Sequence, residues 1–287
     1  MTAPWPKPAG QDAAAVGPPG RFEVELLRHG PHTRIGRQYV SYPFHLTRPF
    51  RLDAAIPSLL SLYQQSCSGG LYRADRLSSR LDLRAGAAAH VTTQAATIVH
   101  DCRGQPVVQT TVIGIERDGF LAFTPDPLVL FPGACSRTTL TADLAPGAVL
   151  LLSDAFAGHD PKGLSRPFER LESEVTIRDE GGRLLVHDSF CLPGASLDGP
   201  ASPTGAWRVV SSHLLVGDKA RLPRRSDLDA LAKGGRSLVG VSELANGAGW
   251  GIRCLAADAV AAGRFSESLF SLAVRAAFGE APAPRRK

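Results

Sequence analysis

The sequence predicts a mainly β protein: a layered, β-helix-like all-β domain with two helices, of which the longer is C-terminal. Between residues 69 and 256, short apolar or β-branched segments such as Val107–Ile115 alternate with turn dipeptides such as Asp118-Gly119. Within residues 77–83, Leu77, Ser79, Leu81 and Leu83 give a period of two, as in a half-buried strand. No long helical pattern separates these segments, which argues against alternating βαβ units.

Further strands are predicted before and after this alternating segment. Residues 22–26 alternate apolar and charged side chains, which is typical of a strand with one buried face. Residues 33–39 are predicted to form the next strand, and residues 174–177 a late one. No repeat of fixed period is strong enough in the sequence to define a solenoid by itself.

Two helices are predicted near the C-terminus. The first covers residues 228–233, with Asp227 as its N-cap and Gly234 as its C-terminal stop. In the second, apolar residues recur at helical spacing and a glycine ends the pattern. These residues are Phe265, Leu269, Leu272 and Ala276, followed by Gly279. The apolar stripe of this helix is expected to pack on a sheet.

The chain is predicted to form one domain with a tail at each end. Residues 1–20 are mostly Pro, Gly and Ala and bury too little apolar surface to order themselves, so a disordered tail is expected. Residues 21–279 form the predicted β domain. Residues 280–287 form a short basic tail that is expected to be solvated.

Composition and charge favour a globular protein that binds neither nucleic acid nor membrane. Of the 287 residues, 44% are hydrophobic and 21% charged, and the net charge is only +5. No dense Lys/Arg run of the kind found in nucleic-acid grooves occurs. The N-terminal segment lacks the apolar core of a secretory signal, and no window is apolar enough to span a bilayer. A cytoplasmic location is therefore expected.

The five cysteines are interpreted as reduced, buried thiols. They are Cys67, Cys102, Cys135, Cys191 and Cys254. They are odd in number and widely spaced, and no Cys-x-x-Cys occurs, so neither a disulfide framework nor a zinc tetrathiolate is favoured.

No catalytic motif is found. The sequence has no Gly-x-Ser-x-Gly elbow and no phosphate-binding Gly-x-x-x-x-Gly-Lys-Ser/Thr loop. Several histidines and one aspartate in loops or near strands could ligate a metal such as nickel(II), but none shows a tight chelating spacing, so ordinary surface roles are favoured. These residues are His29, His32, His90, His100, His159 and Asp160.

Two aspartates interrupt apolar strands. Asp154 follows the apolar run at 149–152, and Asp188 lies within the segment 184–190. A carboxylate in such a place is costly unless it is paired, hydrated or metal-bound. A position at a strand end or facing solvent is the ordinary explanation for each. The pair also leaves open an all-β hydrolase that uses two carboxylates.

A polar string lies inside a β-prone segment at residues 90–97, which reads His-Val-Thr-Thr-Gln-Ala-Ala-Thr. Polar side chains in a strand either face solvent or form hydrogen bonds inside the protein. The string is therefore predicted to be a strand that is either an exposed edge or a polar seam.

This string, together with its flanking motifs, resembles the UreD (UreH) family of urease accessory proteins over about residues 22–287. A Ser-Gly-Gly-Leu segment at 68–71 and an Asp-Arg-Leu turn at 75–77 precede it, and a Pro-containing stretch at 124–131 and Gly158 follow it. The residues that carry the resemblance are Ser68, Gly69, Gly70, Asp75, Thr92, Thr93, Gln94, Ala95, Ala96, Thr97, Pro125 and Gly158.

The resemblance implies a scaffold and metallochaperone rather than an enzyme, with no catalytic residues. It implies partners: a UreF-like accessory protein, a UreG-like GTPase bound through it, and apo-urease. It implies transient Ni(II) and no tightly bound cofactor. A water-filled passage is expected to guide nickel, and the acids of that passage correspond by motif position to Asp75, Asp154 and Asp188.

The sequence departs from the family pattern at two positions. Ile98 stands where the family usually has Lys, and His159 stands where it usually has Arg after Gly158. These changes leave open a different pairing with a partner, or a different client. A pure assembly adaptor without metal contact also remains open beside the nickel-delivery scaffold.

Overall fold

The computed structural model describes residues 18–197, 202–233 and 236–284. Within these residues the chain forms two β-sheets and two α-helices, α1 (Arg225–Ala232) and α2 (Ala259–Phe278). The strands are β1 (Gly20–His29), β2 (His32–Val40), β3 (Phe44–Leu46), β4 (Leu59–Ser66), β5 (Arg76–Leu83), β6 (Ala88–Thr93), β7 (Thr97–Val99), β8 (Val107–Ile115), β9 (Phe120–Phe123), β10 (Leu128–Leu130), β11 (Cys135–Leu144), β12 (Val149–Gly158), β13 (Arg170–Asp179), β14 (Leu184–Pro193), β15 (Val209–Gly217), β16 (Ser237–Glu243) and β17 (Gly249–Ala256).

The central strands wind as a parallel solenoid. Sheet A has the order β14-β13-β11-β8-β5-β1-β2, and sheet B has the order β16-β17-β15-β12-β9-β6-β4-β3. In sheet B, β10 also pairs with β12, and β7 pairs with β10. Strands β5, β8, β11 and β13 are parallel neighbours in sheet A, and β4, β6, β9 and β12 are parallel neighbours in sheet B. Successive turns of the chain therefore stack in register, as the predicted β-helix-like fold requires.

Two coils of sheet B are broken in the middle. The chain leaves β6 and resumes as β7, and in the next coil it leaves β9 and resumes as β10. Strand β12 spans both halves without a break, because Val149–Leu152 pair with β9 and Phe156–Gly158 pair with β10. The two breaks therefore lie side by side in adjacent coils.

The two sheets differ in burial, and the difference is visible in their sequences. Sheet A has one face inside, so β5 alternates buried and less buried residues over Arg76–Leu83. Sheet B packs on sheet A with one face and on α2 with the other, so the run at 149–152 is buried at every position. The predicted alternation on residues 77–83 is confirmed.

The predicted longer helix is confirmed and the shorter one needs correction. Helix α2 ends at Gly279, whose left-handed φ of 79° suits glycine. In α1 the N-cap is Arg224, and Asp227 lies in the first turn, where its charge favours the helix N-terminus. The prediction of Asp227 as N-cap was therefore wrong, and Gly234 lies outside the described residues.

The polar string at 90–97 is not one continuous strand, which corrects the prediction. Strand β6 ends at Thr93, the chain bends at Gln94–Ala96, and β7 begins at Thr97. The reason is tertiary: this bend is the first of the two breaks in sheet B. Since β6 pairs with both β4 and β9, the strand is not an edge.

Other expectations fall partly inside the described residues. Strand β1 already begins at Gly20, one residue before the predicted domain boundary, and residues 1–17 lie outside the described part of the chain. Cys102, Cys135 and Cys254 are buried, whereas Cys191 is only partly buried and Cys67 is exposed, so the prediction of burial was wrong for Cys67 and held only in part for Cys191. Among the helices described, none has the length and apolar character needed to cross a bilayer.

Candidate functional site

A cavity of about 350 Å³ lies between the two sheets and touches every coil of the solenoid. Sheet A lines it with the middle of β5, β8, β11 and β13, and sheet B lines it with the two breaks and with β12. The polar residues in its lining are Gln64, Gln65, Ser66, Ser68, Ser79, Thr93, Gln94, Thr97, Gln109, Thr110, Thr111, Asp126, Thr138, Thr139, Ser153, Asp154, Ser173 and Glu174.

The cavity separates two apolar clusters. One cluster contains Leu81, Ile113 and Val91, and the other contains Leu77 and Val107. Between them, one level of sheet A is polar in three neighbouring strands, since Gln109 pairs with Thr138 and Thr138 with Ser173. In β5 this level is occupied by Leu77, and the polar residue Ser79 follows two positions later, opposite Thr111. A polar layer therefore crosses the interior of an otherwise apolar core.

Two hydrogen bonds cross the cavity from sheet to sheet. Near the first coil, Gln64 Nε2 donates to Ser79 Oγ at 2.8 Å. Near the last coil, Ser173 Oγ donates to Asp154 Oδ2 at 2.7 Å. Buried polar groups are tolerated when they are paired in this way. The polar layer is thus anchored at both ends of the stack.

Asp154 is the carboxylate that lines the cavity wall of β12. Burial raises the pKa of its carboxyl group, and the nearby charge of Asp188 raises that pKa further. The hydrogen bond from Ser173 and the charge of Arg253 act in the opposite direction on the same pKa. The side chain of Asp154 is only partly shielded from solvent. Even so, its removal from bulk water has the largest effect on the pKa of its carboxyl group.

Asp188 lies at the outer end of the same region and is paired. Arg253 Nη2 donates to both carboxylate oxygens of Asp188 at 2.8 Å, and Arg253 Nη1 donates to Ser212 Oγ. Asp188 does not line the cavity. A hydrolase with paired carboxylates needs both groups to face one space, and this geometry does not supply it for Asp154 and Asp188.

Asp75 holds a turn. Its Oδ2 accepts a hydrogen bond from the backbone N–H of Tyr72 at 2.8 Å, and its own N–H donates to the carbonyl of Tyr72 at 3.0 Å. Asp75 is not among the residues lining the cavity. The structure thus brings Asp154 and Asp188 together at one end of the molecule and places Asp75 in a separate turn.

Side chains of the polar string tie adjacent coils together. Thr92 is 1% exposed, and its Oγ1 donates to the carbonyl of Thr124 at 2.7 Å. Thr93 Oγ1 accepts from the backbone N–H of Asp126 at 2.8 Å. Gln65 Nε2 donates to Gln94 Oε1 at 2.6 Å. The part of the string up to Thr92 is therefore a buried polar seam, whereas Gln94, Ala95 and Ala96 in the bend are exposed.

At the cavity mouth, the backbone at position 70 lies so close to Ile98 and His100 that only glycine fits. Its φ is +142°, and a Cβ built there would lie 2.7 Å from the carbonyl oxygen of Ile98 and 2.9 Å from His100 Nε2. Neither the conformation nor the space suits a side chain. This glycine lets the segment after β4 pack against the segment that contains β7.

The residues that carry the family resemblance converge on this cavity. All of them line it except Asp75, Thr92 and Gly158. Their clustering was not predicted from their spacing, since they come from three separate segments of the chain. The site residues that sequence reasoning missed are Gln64, Ser79, Ser173, Glu174 and Arg253. Ser79 could have been recognised, because it is a polar residue at a position that the alternation of its strand predicts to be buried.

The histidines considered as ligands occupy separate places. His29 pairs with His32 at the β1–β2 turn, and His90 is fully buried with its ring stacked 4.0 Å from that of Phe270. His100 stacks on Tyr72, and both His100 and His159 flank Phe131. Two hydrogen bonds from the Arg166 side chain lower the pKa of Asp160. Within the described ranges, no three His, Cys, Asp or Glu side chains form a group that could hold a metal ion.

A second buried polar cluster lies on the other face of sheet B, below α2. His213 is 1% exposed; its Nδ1 is 2.7 Å from Ser153 Oγ and its Nε2 is 3.1 Å from Ser211 Oγ. Burial lowers the pKa of His213 to about 4, and the charge of Arg253 acts in the same direction. The imidazole is therefore neutral at pH 7, which suits its position against Phe265.

These features define a class of protein: a β-solenoid scaffold with a partly polar cavity between its sheets. The chain belongs to the UreD urease accessory protein family, whose model matches residues 19–287. It is 42% identical over 284 residues to urease accessory protein UreD 1 of Methylorubrum extorquens (strain PA1), an alignment covering 98% of this chain and 96% of the relative.

Two further relatives carry the same name. Urease accessory protein UreD 1 of Bradyrhizobium sp. (strain BTAi1) is 41% identical, with 96% of this chain and 97% of the relative covered. Urease accessory protein UreD 1 of Pseudomonas syringae pv. syringae (strain B728a) is 32% identical, with 88% and 90% covered. Since the matches span nearly the whole chain, the family assignment applies to the domain as a unit.

Proposed function

We propose that this protein is a urease maturation factor that acts as a scaffold and helps pass nickel to the urease active site. It docks on apo-urease together with a UreF-like accessory protein and, through that partner, a UreG-like GTPase. It works in the cytoplasm, binds neither nucleic acid nor membrane, and carries Ni(II) as transient cargo rather than as a resident cofactor. Family membership supports the role in maturation.

One observation carries the nickel route: the family-motif residues other than Asp75, Thr92 and Gly158 line one cavity, and Asp154 belongs to the same lining. Nickel(II) accepts carboxylate, imidazole and water as ligands, so a hydrated ion suits a passage whose polar lining consists of hydroxyls, amides and the three acids Asp126, Asp154 and Glu174. A route must also release its cargo. A sparse set of oxygen ligands binds more weakly than a closed cage of His and Cys, and this favours transfer over storage.

The three predicted acids have different positions on this route. Asp154 faces the cavity and Asp188 lies beyond it, paired with Arg253. Asp75 lies in the turn that follows the Ser-Gly-Gly segment, and that segment lines the cavity. Contact of each acid with nickel is part of the proposal.

The test is urease activation with Asp-to-Asn variants, each expressed with apo-urease and the partner proteins. Single changes at Asp75, Asp154 or Asp188 are expected to slow activation partly, and the triple change is expected to abolish it while the complex is still recovered. Asp143→Asn is the matched control, because Asp143 is an exposed aspartate on β11. Urease activity, nickel per urease and recovery of the complex are measured together.

The outcomes separate the alternatives. Full activation by the triple variant would remove these acids from the route and leave a pure assembly adaptor. Loss of the complex would show that the acids are structural. Loss of nickel in urease with an intact complex would support the route.

A further inference from the structure

A row of polar side chains crosses three adjacent strands of sheet B, from β12 at the cavity to β17. Asp154 on β12 pairs directly with Ser212 on β15, and Ser212 pairs directly with Arg253 on β17. Directly opposite residues in a sheet project to the same face. That face is the inner one, because Asp154 and Arg253 both bond to residues of sheet A, namely Ser173 and Asp188.

This row connects the internal cavity with the solvent-exposed surface of the protein. Asp154 lines the internal cavity. At the other end, the side chain of Arg253 is 55% exposed and that of Asp188 is 26% exposed. The row thus begins in the cavity and reaches solvent where β14 of sheet A lies opposite β17 of sheet B.

The outer end of the row is closed by an ion pair with defined geometry. Both oxygens of Asp188 accept from the same nitrogen of Arg253 at 2.8 Å, and a second nitrogen of Arg253 binds Ser212. The guanidinium therefore occupies the place beside Asp188 where a small cation would otherwise be attracted. The charges of Asp188 and Arg253 shift the pKa of Asp154 in opposite directions, so all three groups lie within electrostatic reach of one another.

We infer that the Asp188–Arg253 ion pair is a gate for a divalent cation at the solvent end of this row. In the closed state, Arg253 neutralises Asp188. In the open state, a hydrated divalent ion takes the place of the guanidinium beside Asp188, and the Arg253 side chain turns to solvent. The inference rests on the proposed function in that the cation is the nickel cargo.

The gate explains how two acids can guide a cation without retaining it. Asp154 and Asp188 alone would place two negative charges in a partly desolvated region, where attraction to a divalent ion is strong. Arg253 supplies one internal positive charge that competes for the carboxylate oxygens of Asp188. When the ion arrives it replaces Arg253 beside Asp188, and when it leaves Arg253 returns. The carboxylate of Asp188 is therefore paired in both states.

The test is nickel binding by the purified full-length chain, measured by equilibrium dialysis against NiCl2. Arg253→Met removes the competing charge and is expected to bind Ni(II) about tenfold more tightly than the unmodified chain. The double variant Arg253→Met/Asp188→Asn is expected to lose this gain. Arg253→Lys keeps the charge and is expected to bind like the unmodified chain.

Two further variants control for folding and for net charge. Arg183→Met removes an exposed arginine paired with Asp179 at the β13–β14 turn, and it should leave nickel binding unchanged. If circular dichroism shows that Arg253→Met is not folded, Arg253→Gln, which keeps a donor for Ser212, takes its place in the same comparison.

The gate is overturned if loss of the Arg253 charge leaves nickel affinity unchanged, or if the gain persists without Asp188. Such a result leaves the proposed role in urease maturation standing, because that role is measured by urease activation. Conversely, activation that does not depend on the three acids would refute the nickel route, while tighter binding by Arg253→Met would still establish the gate as a cation-binding device.

Discussion

Ser173 of sheet A donates its hydroxyl hydrogen to Asp154 of sheet B across the interior of the protein, at 2.7 Å. This contact joins the last coil of the solenoid from sheet to sheet and gives the cavity carboxylate its one neutral side-chain donor among the described residues. A carboxylate that is buried, hydrogen-bonded and adjacent to an ion pair is costly to fold around. Such a costly group inside the protein indicates that Asp154 has a functional role.

Ser173→Ala is expected to destabilise the protein by roughly 1–3 kcal/mol at neutral pH, because the buried carboxylate of Asp154 loses its hydroxyl partner. The measurement is the free energy of unfolding in denaturant. Ser136→Ala is the matched control: the Ser136 hydroxyl is buried on the neighbouring strand β11 and lacks a hydrogen-bond partner among the described residues, so its loss should be nearly neutral. Equal effects at the two serines would contradict the assigned role of Ser173.

Asp154→Asn is expected to stabilise the protein at neutral pH by roughly 1 kcal/mol. The pKa of Asp154 is raised in the folded state above its ordinary 3.8, so the folded protein binds this proton more readily than the unfolded chain. Stability contributed by protonation is therefore present below 3.8 and is lost as pH rises through the folded pKa. The advantage of the Asn variant should shrink on acidification, as measured by denaturant midpoints over a pH series. A destabilised Asn variant at neutral pH would show that the charged form is favoured by the fold.

Acidification is expected to weaken the fold through His213. Its pKa falls from 6.5 to about 4 on folding, so the stability of the neutral form is complete above 6.5 and is lost as pH falls toward 4. One proton taken up on unfolding gives a slope of at most about 1.4 kcal/mol per pH unit in this window. His213→Gln should flatten the slope, whereas His29→Gln, at an exposed position, should not. An unchanged slope in His213→Gln would assign the acid sensitivity to other groups.

Phe270→Ala is expected to cost about 3–5 kcal/mol of unfolding free energy, because this ring anchors α2 on sheet B. Phe270 is 4% exposed and stacks on the buried imidazole of His90 at 4.0 Å. Val260→Ala on the same helix is the control, since Val260 is 62% exposed and its truncation should stay within about 0.5 kcal/mol. Thermal and denaturant unfolding both report the difference. Similar costs at the two positions would mean that α2 contributes little to the core.

Much of the fold could be predicted because it depends on local pattern. The alternation at residues 77–83 indicated a strand with one buried face, and the apolar run at 149–152 is the local pattern of a strand buried on both faces. The spacing of Phe265 and Leu269 and the glycine at 279 located α2 and its end. Where several local preferences agree, as at α2, the prediction was confirmed. Where one preference stood alone, as with Asp227, the start of α1 was misplaced.

The site was only partly predictable. The aspartates at 154 and 188 were noticed because each interrupts an apolar segment, but nothing in their spacing showed that only Asp154 lines the cavity. Their partners Ser173 and Arg253 carry no local mark that distinguishes them from surface residues. The polar string at 90–97 was recognised as unusual, yet its bend at 94–96 depends on the break in sheet B.

The sequence by itself therefore determined the β-rich class, the position of the long helix and, through its motifs, the resemblance to the family. Those properties depend on side chains a few residues apart, and hydrophobic periodicity and turn chemistry act at that range. Only the tertiary structure decided which residues share the cavity and how Arg253 comes to hold Asp188, 65 residues away in the chain. The physical reason is strand register: the stacking of parallel coils and the pairing of β12, β15 and β17 set those neighbours, and a shift of one residue would turn each side chain to the opposite face.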